Sequence, residues 1–186
     1  MGLFKKKELE FEMVTTKGGD FGKSSLYSGE FEFKNKIEFE TMGSIDELDS
    51  YLGICRSKTE DAVIKIAIKW VQKILYRAMS IIATKPHHEF YKSLNIVKET
   101  DVISLEVYQQ RIMKFAKIGT EFILPGDNEL SAHYDYARTL ARKSERQMVE
   151  FIQKVGAQKN LDDLKVIQKF LNRLSDFLFI CGRYFS

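Results

Sequence analysis

The chain of 186 residues has few of the residues that interrupt helices or crosslink a fold. It contains two prolines, two cysteines and no apolar run near 18 residues in length. The shortage of proline favours long helices over a loop-rich all-β design. Cys55 and Cys181 are far apart and lack metal-ligand spacing, so we expect free thiols in a reducing cytoplasm. The absence of a long apolar run predicts that no segment spans a membrane.

The chain also lacks a strong charge of either sign. Its 29 Lys and Arg residues against 26 Asp and Glu residues give a net charge of +3. This mild balance gives no general case for a nucleic-acid partner, so an anion site would depend on local placement of charge. The length and the apolar fraction of 44% fit one globular domain covering residues 1–186.

Hydrophobic periodicity divides this domain into three parts. We expect a leader over residues 1–14, a loop and arm over 15–42, and a helical bundle over 43–186. Alternation in ELEFEMV and EFEFKNKIEFE predicts short strands or extended segments before the bundle. Helical spacing then predicts five helices. They start at a capping box of Ser44 and Glu47, cover about 61–84, 101–117 and 129–155, and end with a helix capped by Asn160 and Asp163.

Five helices joined by short loops predict an all-α fold, a five-helix up-and-down bundle with an extended N-terminal arm and a Gly-rich loop. The last helix, VIQKFLNRLSDFLFICGRYF, is apolar around most of its circumference. That pattern predicts a central place in the bundle or burial at a subunit interface.

The segment from Phe122 to Arg146, FILPGDNELSAHYDYARTLARKSER, has the most informative pattern. An apolar, strand-like tripeptide and a Pro-Gly turn lead into a helix with Arg138, Arg142 and Glu145 on one face. Two arginines one turn apart repel each other unless an anion or an acidic partner lies nearby. The stripe is therefore a ligand site, part of a buried ion-pair network, or a solvated face.

The segment TKGGDFGKSS, residues 16–25, could hold phosphate groups. Glycines let backbone N–H groups converge on an anion, while lysine and serine add charge and donors. It is not a Walker A loop, because Lys17 occupies the place of the required first glycine and no clear helix follows Ser24. A plain hairpin turn between two strands is the other interpretation.

Taken in order, four segments resemble the ATP:cob(I)alamin adenosyltransferases of the propanediol-utilisation type. The segment TKGGDFGKSSL is similar to T-K/R-T/N-G-D-x-G-x-T-S-L, and GSIDELDSYLG is similar to G-x-V-D-E-L-N-S-x-L-G. The segment FILPGDNELSAHYDYARTLARKSERQMV is similar to FILPGG…ARTxxRRAERxxV, and LNRLSDFLFICGRY is similar to LNRLSDYLFxxAR. The matched parts span nearly the whole chain.

The resemblance implies transfer of the 5′-deoxyadenosyl group of ATP to cob(I)alamin, with release of triphosphate and help from Mg²⁺. It implies a homotrimer whose active sites lie between subunits. A reductase or an adenosylcobalamin-dependent enzyme would be a further partner, and neither nucleic acid nor a membrane is expected. A non-catalytic trimer that binds nucleotide or escorts corrinoid is the alternative.

The resemblance also gives roles to single residues. Arg138 would pair with Asp46 across the subunit interface, and Phe122 would fill the space below the corrin ring and displace its lower ligand. The implied ATP-binding positions are Thr16, Lys17, Gly19, Asp20, Gly22, Lys23, Ser24, Ser25, Arg142, Glu145 and Asn172. Supporting positions are Arg146, Arg173 and Asp176. The only metal implied is Mg²⁺ bound to the ATP triphosphate.

Three acidic residues depart from the family's pattern. Asp49 stands in place of an asparagine, Asp127 in place of the second glycine after Pro125, and Asp135 in place of a frequent histidine. Added negative charge near a triphosphate is expected to weaken ATP binding unless a metal or a lysine compensates.

Overall fold

The computed structural model describes residues 10–116, 118–155 and 160–186. These residues are mostly helical, with one small antiparallel sheet of two strands. The helices are α1 (Phe11–Val14), α2 (Ile37–Lys58), α3 (Ala62–Ile82), α4 (Glu99–Met113), α5 (Glu129–Val155) and α6 (Leu161–Tyr184). A 3-10 helix covers Glu89–Ser93, and the strands are β1 (Lys23–Ser25) and β2 (Phe31–Phe33).

The long helices share one apolar core. Helix α6 packs against α5 and α4, α5 also packs against α2, and α2 packs against α3. Each long helix contributes side chains that are fully removed from solvent, such as Leu48, Val71, Leu105, Tyr134 and Leu174. Burial of each such side chain stabilises the fold by about 2 kcal/mol. Helices α2, α5 and α6 each pack against two others, so these contacts do not give α6 a unique central place, and the alternative of burial at a subunit interface stays a prediction.

Hydrogen bonds between the helices give their relative directions. Along α2 and α5, Ser44 lies opposite Ser144 and Thr59 lies opposite Tyr134, so these two helices are antiparallel. Two pairs make α5 antiparallel to α6: Glu145 with Asn172 and Asp135 with Arg183. Two others make α4 parallel to α6: Glu99 with Lys169 and Glu106 with Arg173. The N-terminus of α5 and the C-termini of α2, α4 and α6 therefore lie at one end of the protein.

The small sheet lies at the opposite end. The Tyr27 N–H, in the turn between β1 and β2, donates to the Ala83 carbonyl directly after α3, at 3.0 Å. Lys85 extends the attachment through an ion pair with Glu32 at 3.3 Å. The C-terminus of α3 thus holds the sheet, and the Gly-rich segment precedes β1.

The predicted start of the first long helix is wrong. Helix α2 begins at Ile37, inside the predicted arm, and Ser44 does not cap it. Instead the Ser44 hydroxyl donates to the Thr41 carbonyl at 2.8 Å within the helix. Ile37, Thr41, Ser44 and Leu48 share one helical face, a spacing that the alternating pattern of residues 37–41 obscured. In the same way, Phe11–Val14 is helical and not the predicted strand.

Other boundaries differ less. Helix α4 starts at Glu99, slightly before the predicted start at about residue 101. The Asp101 carboxylate accepts from the Lys98 N–H at 2.8 Å, and this hydrogen bond caps the first turn of the helix. Asn160 does not cap α6 through its side chain, since its amide donates to the Asp163 carboxylate at 2.9 Å. The tripeptide that starts at Phe122 is not a strand. Helix α5 has the predicted bounds. Helix α4 ends at Met113, earlier than the predicted end at Lys117; Lys117 itself and Gly156 lie outside the described residues.

Within the described ranges, no helix is both long enough and apolar enough to cross a membrane.

Candidate functional site

A hydrogen-bonded chain of polar side chains joins the middles of three helices. The Asn172 amide of α6 donates to the Glu145 carboxylate of α5 at 2.9 Å. Arg173 donates to the Asn172 side-chain oxygen at 2.8 Å and to the Glu106 carboxylate of α4 at 2.8 Å. We call these four residues the Asn172 network. It brings together three predicted site residues, and it holds Glu145 and Asn172 in defined orientations.

A ridge of arginines runs along α5 beside this network. Arg138, Arg142 and Arg146 follow one another at intervals of four residues, so they share one helical face. Arg142 and Arg146 are exposed, whereas Arg138 is half-buried. The Nε atom of Arg138 is buried, and among the described residues it has no hydrogen-bond partner. A buried guanidinium donor without a partner is costly, so this position is suited to an anionic group from outside the chain.

Asp46 is exposed on α2, the helix that packs against α5. Around it, Lys143 pairs with Glu47 at 2.6 Å, and the Ser144 hydroxyl donates to the Ser44 carbonyl at 2.8 Å. Among the described hydrogen bonds and ion pairs, none joins Asp46 to Arg138 within the chain. The predicted pair of these two residues is therefore not an intramolecular one.

Asp49 lies one turn after Asp46 on the buried side of α2. Only 6% of its surface is exposed, and its Oδ1 atom has no partner within the described part of the chain. Removal from water raises the pKa of Asp49, and the charge of Asp46 adds to that effect. A raised pKa reduces the charge that this acid carries. The replacement of asparagine by Asp49 therefore does not add a charge to the protein surface, contrary to what the sequence suggested.

The Gly-rich segment is an open loop before the sheet. The turn of the hairpin lies between β1 and β2, so the interpretation of this segment as a hairpin turn is wrong. Lys17 has φ +56° and Gly22 has φ +71°, left-handed conformations that turn the backbone sharply. The Lys34 ammonium donates to the Gly19 carbonyl at 3.2 Å.

The predicted ATP-binding positions of the loop divide into two groups. Lys23, Ser24 and Ser25 form β1 rather than the loop itself. The positions before β1 are largely exposed: Thr16, Lys17, Asp20 and Gly22. The Gly18 N–H donates to the Thr16 hydroxyl at 3.4 Å. The Thr16 and Lys17 side chains are therefore accessible to an anion, whereas the N–H groups of Gly18, Asp20 and Gly22 are engaged in turns.

Phe122 lies at the other end of the protein. Its side chain is 92% exposed, in the irregular segment between α4 and α5. The segment is attached to the C-terminal part of α6, since Asp127 pairs with Arg183 at 2.9 Å. Helix α3 has 21 residues, which gives about 30 Å between its ends. Within one chain, Phe122 and the sheet beside the Gly-rich loop are thus about that far apart.

Asp127 and Asp135 share a single cation. The Arg183 guanidinium donates to Asp135 at 2.6 Å as well as to Asp127, and Arg183 and Asp135 are only 3% and 6% exposed. The sequence predicted that a metal or a lysine would have to compensate these acids. Arg183 provides that compensation, so the two charges do not lie free beside a phosphate site.

The described residues contain no group of three or more His, Cys, Asp and Glu side chains that could hold a metal ion. Mg²⁺ bound largely through substrate phosphates and water needs no such cage. The hydroxyls present fit a metal that binds together with ATP, and the exposed cations suit the phosphates that would carry it. Asp176, a predicted supporting residue, is exposed on α6 and joins none of the hydrogen bonds of the Asn172 network.

Sequence reasoning missed three contributors to this geometry. Glu106 and Lys34 have no spacing that links them to the motifs, so only the packing of α4 and the position of the loop identify them. Arg183 did leave a signal, because it is a charged residue in an otherwise apolar helix. Such a residue is costly to bury unless it is paired.

Comparison with known proteins decides the family. The family model described as cobalamin adenosyltransferase matches residues 14–185. The chain belongs to the cobalamin adenosyltransferase family. The resemblance of the four segments is therefore confirmed.

Relatives of this chain come from bacteria and animals. A corrinoid adenosyltransferase of Citrobacter freundii is 33% identical over 174 residues, covering 91% of this chain and 93% of the relative. Human corrinoid adenosyltransferase MMAB is 30% identical over 175 residues, covering 92% of this chain and 68% of the relative. Corrinoid adenosyltransferase PduO of Salmonella typhimurium is 30% identical over 170 residues. The chain spans about half of that protein, 48% of its length.

Solved structures share the fold of this chain. A phenylalanine-to-alanine variant of the PduO-type ATP:corrinoid adenosyltransferase from Lactobacillus reuteri, complexed with cobalamin and ATP, superposes with a TM-score of 0.80. It is 29% identical, and the match covers 92% of each chain. An arginine-to-lysine variant complexed with ATP has a TM-score of 0.77 and 30% identity, and the match covers 91% of each chain.

Proposed function

We propose that this chain transfers the 5′-deoxyadenosyl group of ATP to cob(I)alamin, giving adenosylcobalamin and triphosphate. The observation that carries the proposal is the Asn172 network beside the arginine ridge. It presents a fixed carboxylate and a fixed amide next to exposed guanidinium groups. A nucleoside triphosphate needs both kinds of contact, hydrogen bonds to its sugar or base and cations along its phosphates.

The reaction depends on the alignment of its two substrates by the protein more than on acid–base chemistry. Cob(I)alamin is itself the nucleophile: its cobalt attacks the 5′ carbon of the ribose, and the C–O bond to the triphosphate breaks. The protein must hold the carbon in line with cobalt and neutralise the departing anion. Arg138 and Arg142 on α5, with Lys17 and Lys23 of the loop, are suited to neutralise that charge.

Mg²⁺ enters this scheme as a partner of the triphosphate. The hydroxyls of Ser24 and Ser25 at the start of the sheet would help to place the metal–phosphate group. Thr16 and Gly19 would contribute donors to the nucleotide clasp, and Asp20 and Gly22, whose N–H groups close turns, would set its shape. Arg146 and Asp176 would support the site from α5 and α6.

Phe122 serves the corrin side of the reaction. An aromatic ring that is 92% exposed is costly to leave in water unless a partner covers it. We assign it to the space below the corrin ring, where it excludes water and a lower ligand from cobalt. Four-coordinate cobalt(II) is easier to reduce to the cobalt(I) nucleophile, which makes Phe122 important when the corrinoid arrives oxidised.

A site built between subunits would bring these parts together. Within one chain the Gly-rich loop and Phe122 belong to opposite ends, yet the reaction needs carbon and cobalt in contact. The partnerless Nε of Arg138 and the exposed Asp46 support a pair between neighbours. A ring-shaped homotrimer would repeat this heterologous contact three times and close on itself.

We extend the proposal to three broader features. Helices that follow one another along the chain alternate in direction, which supports a five-helix up-and-down bundle in each subunit. The two buried, unpaired cysteines support a reducing, cytoplasmic location. A reductase that supplies cob(I)alamin, or an enzyme that consumes adenosylcobalamin, would be the protein partner.

The test is a spectroscopic assay of the purified protein. The protein is mixed with ATP, Mg²⁺ and chemically reduced cobalamin, and the visible spectrum is followed for formation of adenosylcobalamin. Conversion that depends on both protein and ATP supports the enzyme. Tight binding of corrinoid or nucleotide without any conversion would overturn it and favour the alternative, a trimeric binding or escort protein.

A further inference from the structure

We propose that Arg183, together with Asp127 and Asp135, is a positioning cluster that fixes the segment carrying Phe122. We call these three residues the Arg183 cluster. The proposal rests on the proposed function, because it assumes that Phe122 acts at cobalt. It assigns a task to three residues that do not touch the substrates themselves.

The geometry of the cluster joins three elements. Arg183 lies in the last turn of α6, Asp135 lies on α5, and Asp127 lies in the irregular segment before α5. One guanidinium nitrogen donates to Asp135 at 2.6 Å, and the other donates to Asp127 at 2.9 Å. Each acid therefore occupies a separate N–H group, and the planar guanidinium sets the angle between them.

Burial makes this arrangement rigid. Arg183 is 3% exposed and Asp135 is 6% exposed, so their charges have little access to water. Arg183 Nε has no hydrogen-bond partner among the described residues, which leaves the two carboxylates as the groups that hold the guanidinium. A buried charge that loses a partner is strongly destabilised, so the Arg183 side chain has one favoured position. Asp127 is half-exposed, and its carboxylate is held by the guanidinium of Arg183.

The cluster connects directly to Phe122. Asp127 is five residues after Phe122, and Gly126 between them has φ +106°, a turn that a side chain would strain. A second link follows, since the Asn128 amide donates to the Phe185 carbonyl. Phe122, Ile123, Asp127 and Arg183 line one open groove. The irregular segment that carries Phe122 is thereby attached to the C-terminal end of α6.

The two acids are peculiar to this chain's version of the motifs. The patterns that the sequence resembles have glycine where Asp127 stands and often histidine where Asp135 stands. Neither of those residues would give Arg183 a carboxylate. In this chain the irregular segment is therefore held by charge, and the position of the Phe122 ring depends on that attachment.

Asp127→Asn tests the proposal without removing a buried group. The asparagine keeps the size of the side chain, and half of it is in solvent, so the protein is expected to fold normally. The matched control is Glu99→Gln, which neutralises an exposed partner of Lys169 at 3.0 Å, 14 residues before Arg183 along α6. A second variant, Asp135→Asn, removes the buried partner and should have the larger effect, with some loss of thermal stability.

Two readouts separate positioning from stability. Amide hydrogen exchange of residues 118–127 in the ligand-free protein reports on the attachment itself. The rate of adenosylation is then measured from chemically reduced cob(I)alamin and from cob(II)alamin with a reductase, together with the electron paramagnetic resonance spectrum of bound cob(II)alamin and ATP. We expect Asp127→Asn to speed exchange in this segment, to reduce the four-coordinate signal, and to lower the ratio of the cob(II) rate to the cob(I) rate about tenfold.

Each other result has a clear meaning. Unchanged exchange in Asp127→Asn would overturn the attachment, and faster exchange with an unchanged ratio and spectrum would overturn its role in placing Phe122. An equal effect of Glu99→Gln would show that the loss of any surface acid is sufficient, which also overturns the proposal. If the wild-type protein forms no adenosylcobalamin, the proposed function fails first, and the positioning role falls with it even where the exchange data support the attachment.

Discussion

Glu145 of α5 and Asn172 of α6 are joined by a hydrogen bond of 2.9 Å from the amide to the carboxylate. Arg173 holds the other side of the same amide at 2.8 Å, so both faces of Asn172 are occupied. This places a carboxylate of defined orientation one turn from Arg142. The relationship makes the face of α5 and α6 a prepared site rather than a set of solvated side chains.

Asn172→Ala should weaken ATP binding far more than it weakens the fold. The substitution releases Glu145 and removes an amide that we assign to the nucleotide. Loss of a hydrogen bond to a charged group costs about 2 kcal/mol, so KM for ATP should rise roughly tenfold or more. Steady-state kinetics and isothermal titration with ATP provide the measurement.

A suitable control is Lys169→Ala on the same helix. Lys169 makes an exposed ion pair with Glu99 at 3.0 Å, away from the network. Exposed pairs contribute little, so KM for ATP and the melting temperature should both stay near the wild-type values. Equal rises in KM for the two variants would contradict the assignment of Asn172.

Asp49→Asn should stabilise the protein near neutral pH. Burial raises the pKa of the folded-state carboxyl, while in the unfolded chain it titrates near 3.8. As the pH rises above that value, the unfolded chain releases its proton before the folded protein does, so the free energy of unfolding falls. An asparagine has no proton to release and avoids this penalty.

Urea unfolding between about pH 4 and pH 7 measures the effect. The stability difference between Asp49→Asn and the wild type should be smallest at the acid end and should grow as the pH rises. The exposed substitution Glu60→Gln serves as the reference for general charge effects. A variant that is less stable than the wild type at every pH would show that desolvation of Asp49 does not govern its titration.

Phe122→Ala should separate the two routes to adenosylcobalamin. The ring is exposed in the single chain, so its loss should leave the melting temperature unchanged. Turnover from chemically reduced cob(I)alamin should persist, whereas turnover from cob(II)alamin with a reductase should fall at least about tenfold more. Leu124→Ala, a neighbour that is also exposed, is the matched control. Equal losses by both routes in Phe122→Ala would contradict the proposed role below the corrin ring.

Gly19→Ala should disturb the nucleotide loop without unfolding it. An added Cβ at this position would lie 2.8 Å from the Lys34 ammonium nitrogen, so the flexible lysine must move away. The contact of Lys34 with the Gly19 carbonyl is then lost, and we expect KM for ATP to rise severalfold. At Gly18, the nearest atom to an added Cβ is the Thr16 hydroxyl oxygen at 3.6 Å, an ordinary contact. Gly18→Ala should therefore bind ATP more tightly than Gly19→Ala, and the reverse order would argue against a role for Lys34.

Much of the fold was predictable from periodicity. The bounds of α5 and the extensive burial of α6 follow from their apolar spacing, and the shortage of proline indicated the long helices. The start of α2 was not predictable in this way. Ile37, Phe39 and Thr41 alternate as a strand would, yet Ile37, Thr41 and Leu48 also lie on one helical face. Packing against the core decides between two patterns that the same few residues satisfy.

The site was only partly predictable. Motif order indicated Glu145, Asn172 and Arg173, and the fold brings them together. The partner of Arg173, Glu106, comes from a helix whose register against α6 no local pattern encodes. The acids at positions 127 and 135 were interpreted as uncompensated charges, because their shared partner is 48 residues or more away along the chain. Contacts at such separation depend on how the helices align.

We propose an adenosyltransferase whose site needs two neighbouring subunits, with Arg138 of one facing Asp46 of the next. Arg138→Ala and Asp46→Ala should each fold and be nearly inactive alone, since each removes one side of every interface. Subunits of the two variants are then mixed by co-refolding, and the rate of adenosylcobalamin formation is measured. Random assembly around a ring restores an intact pair at roughly a quarter of the interfaces.

We expect the mixture to regain activity on the order of that fraction, while each variant refolded alone stays nearly inactive. A mixture as inactive as its two components, with mixed assemblies verified by native mass spectrometry, would contradict a site shared between Arg138 and Asp46 of different subunits.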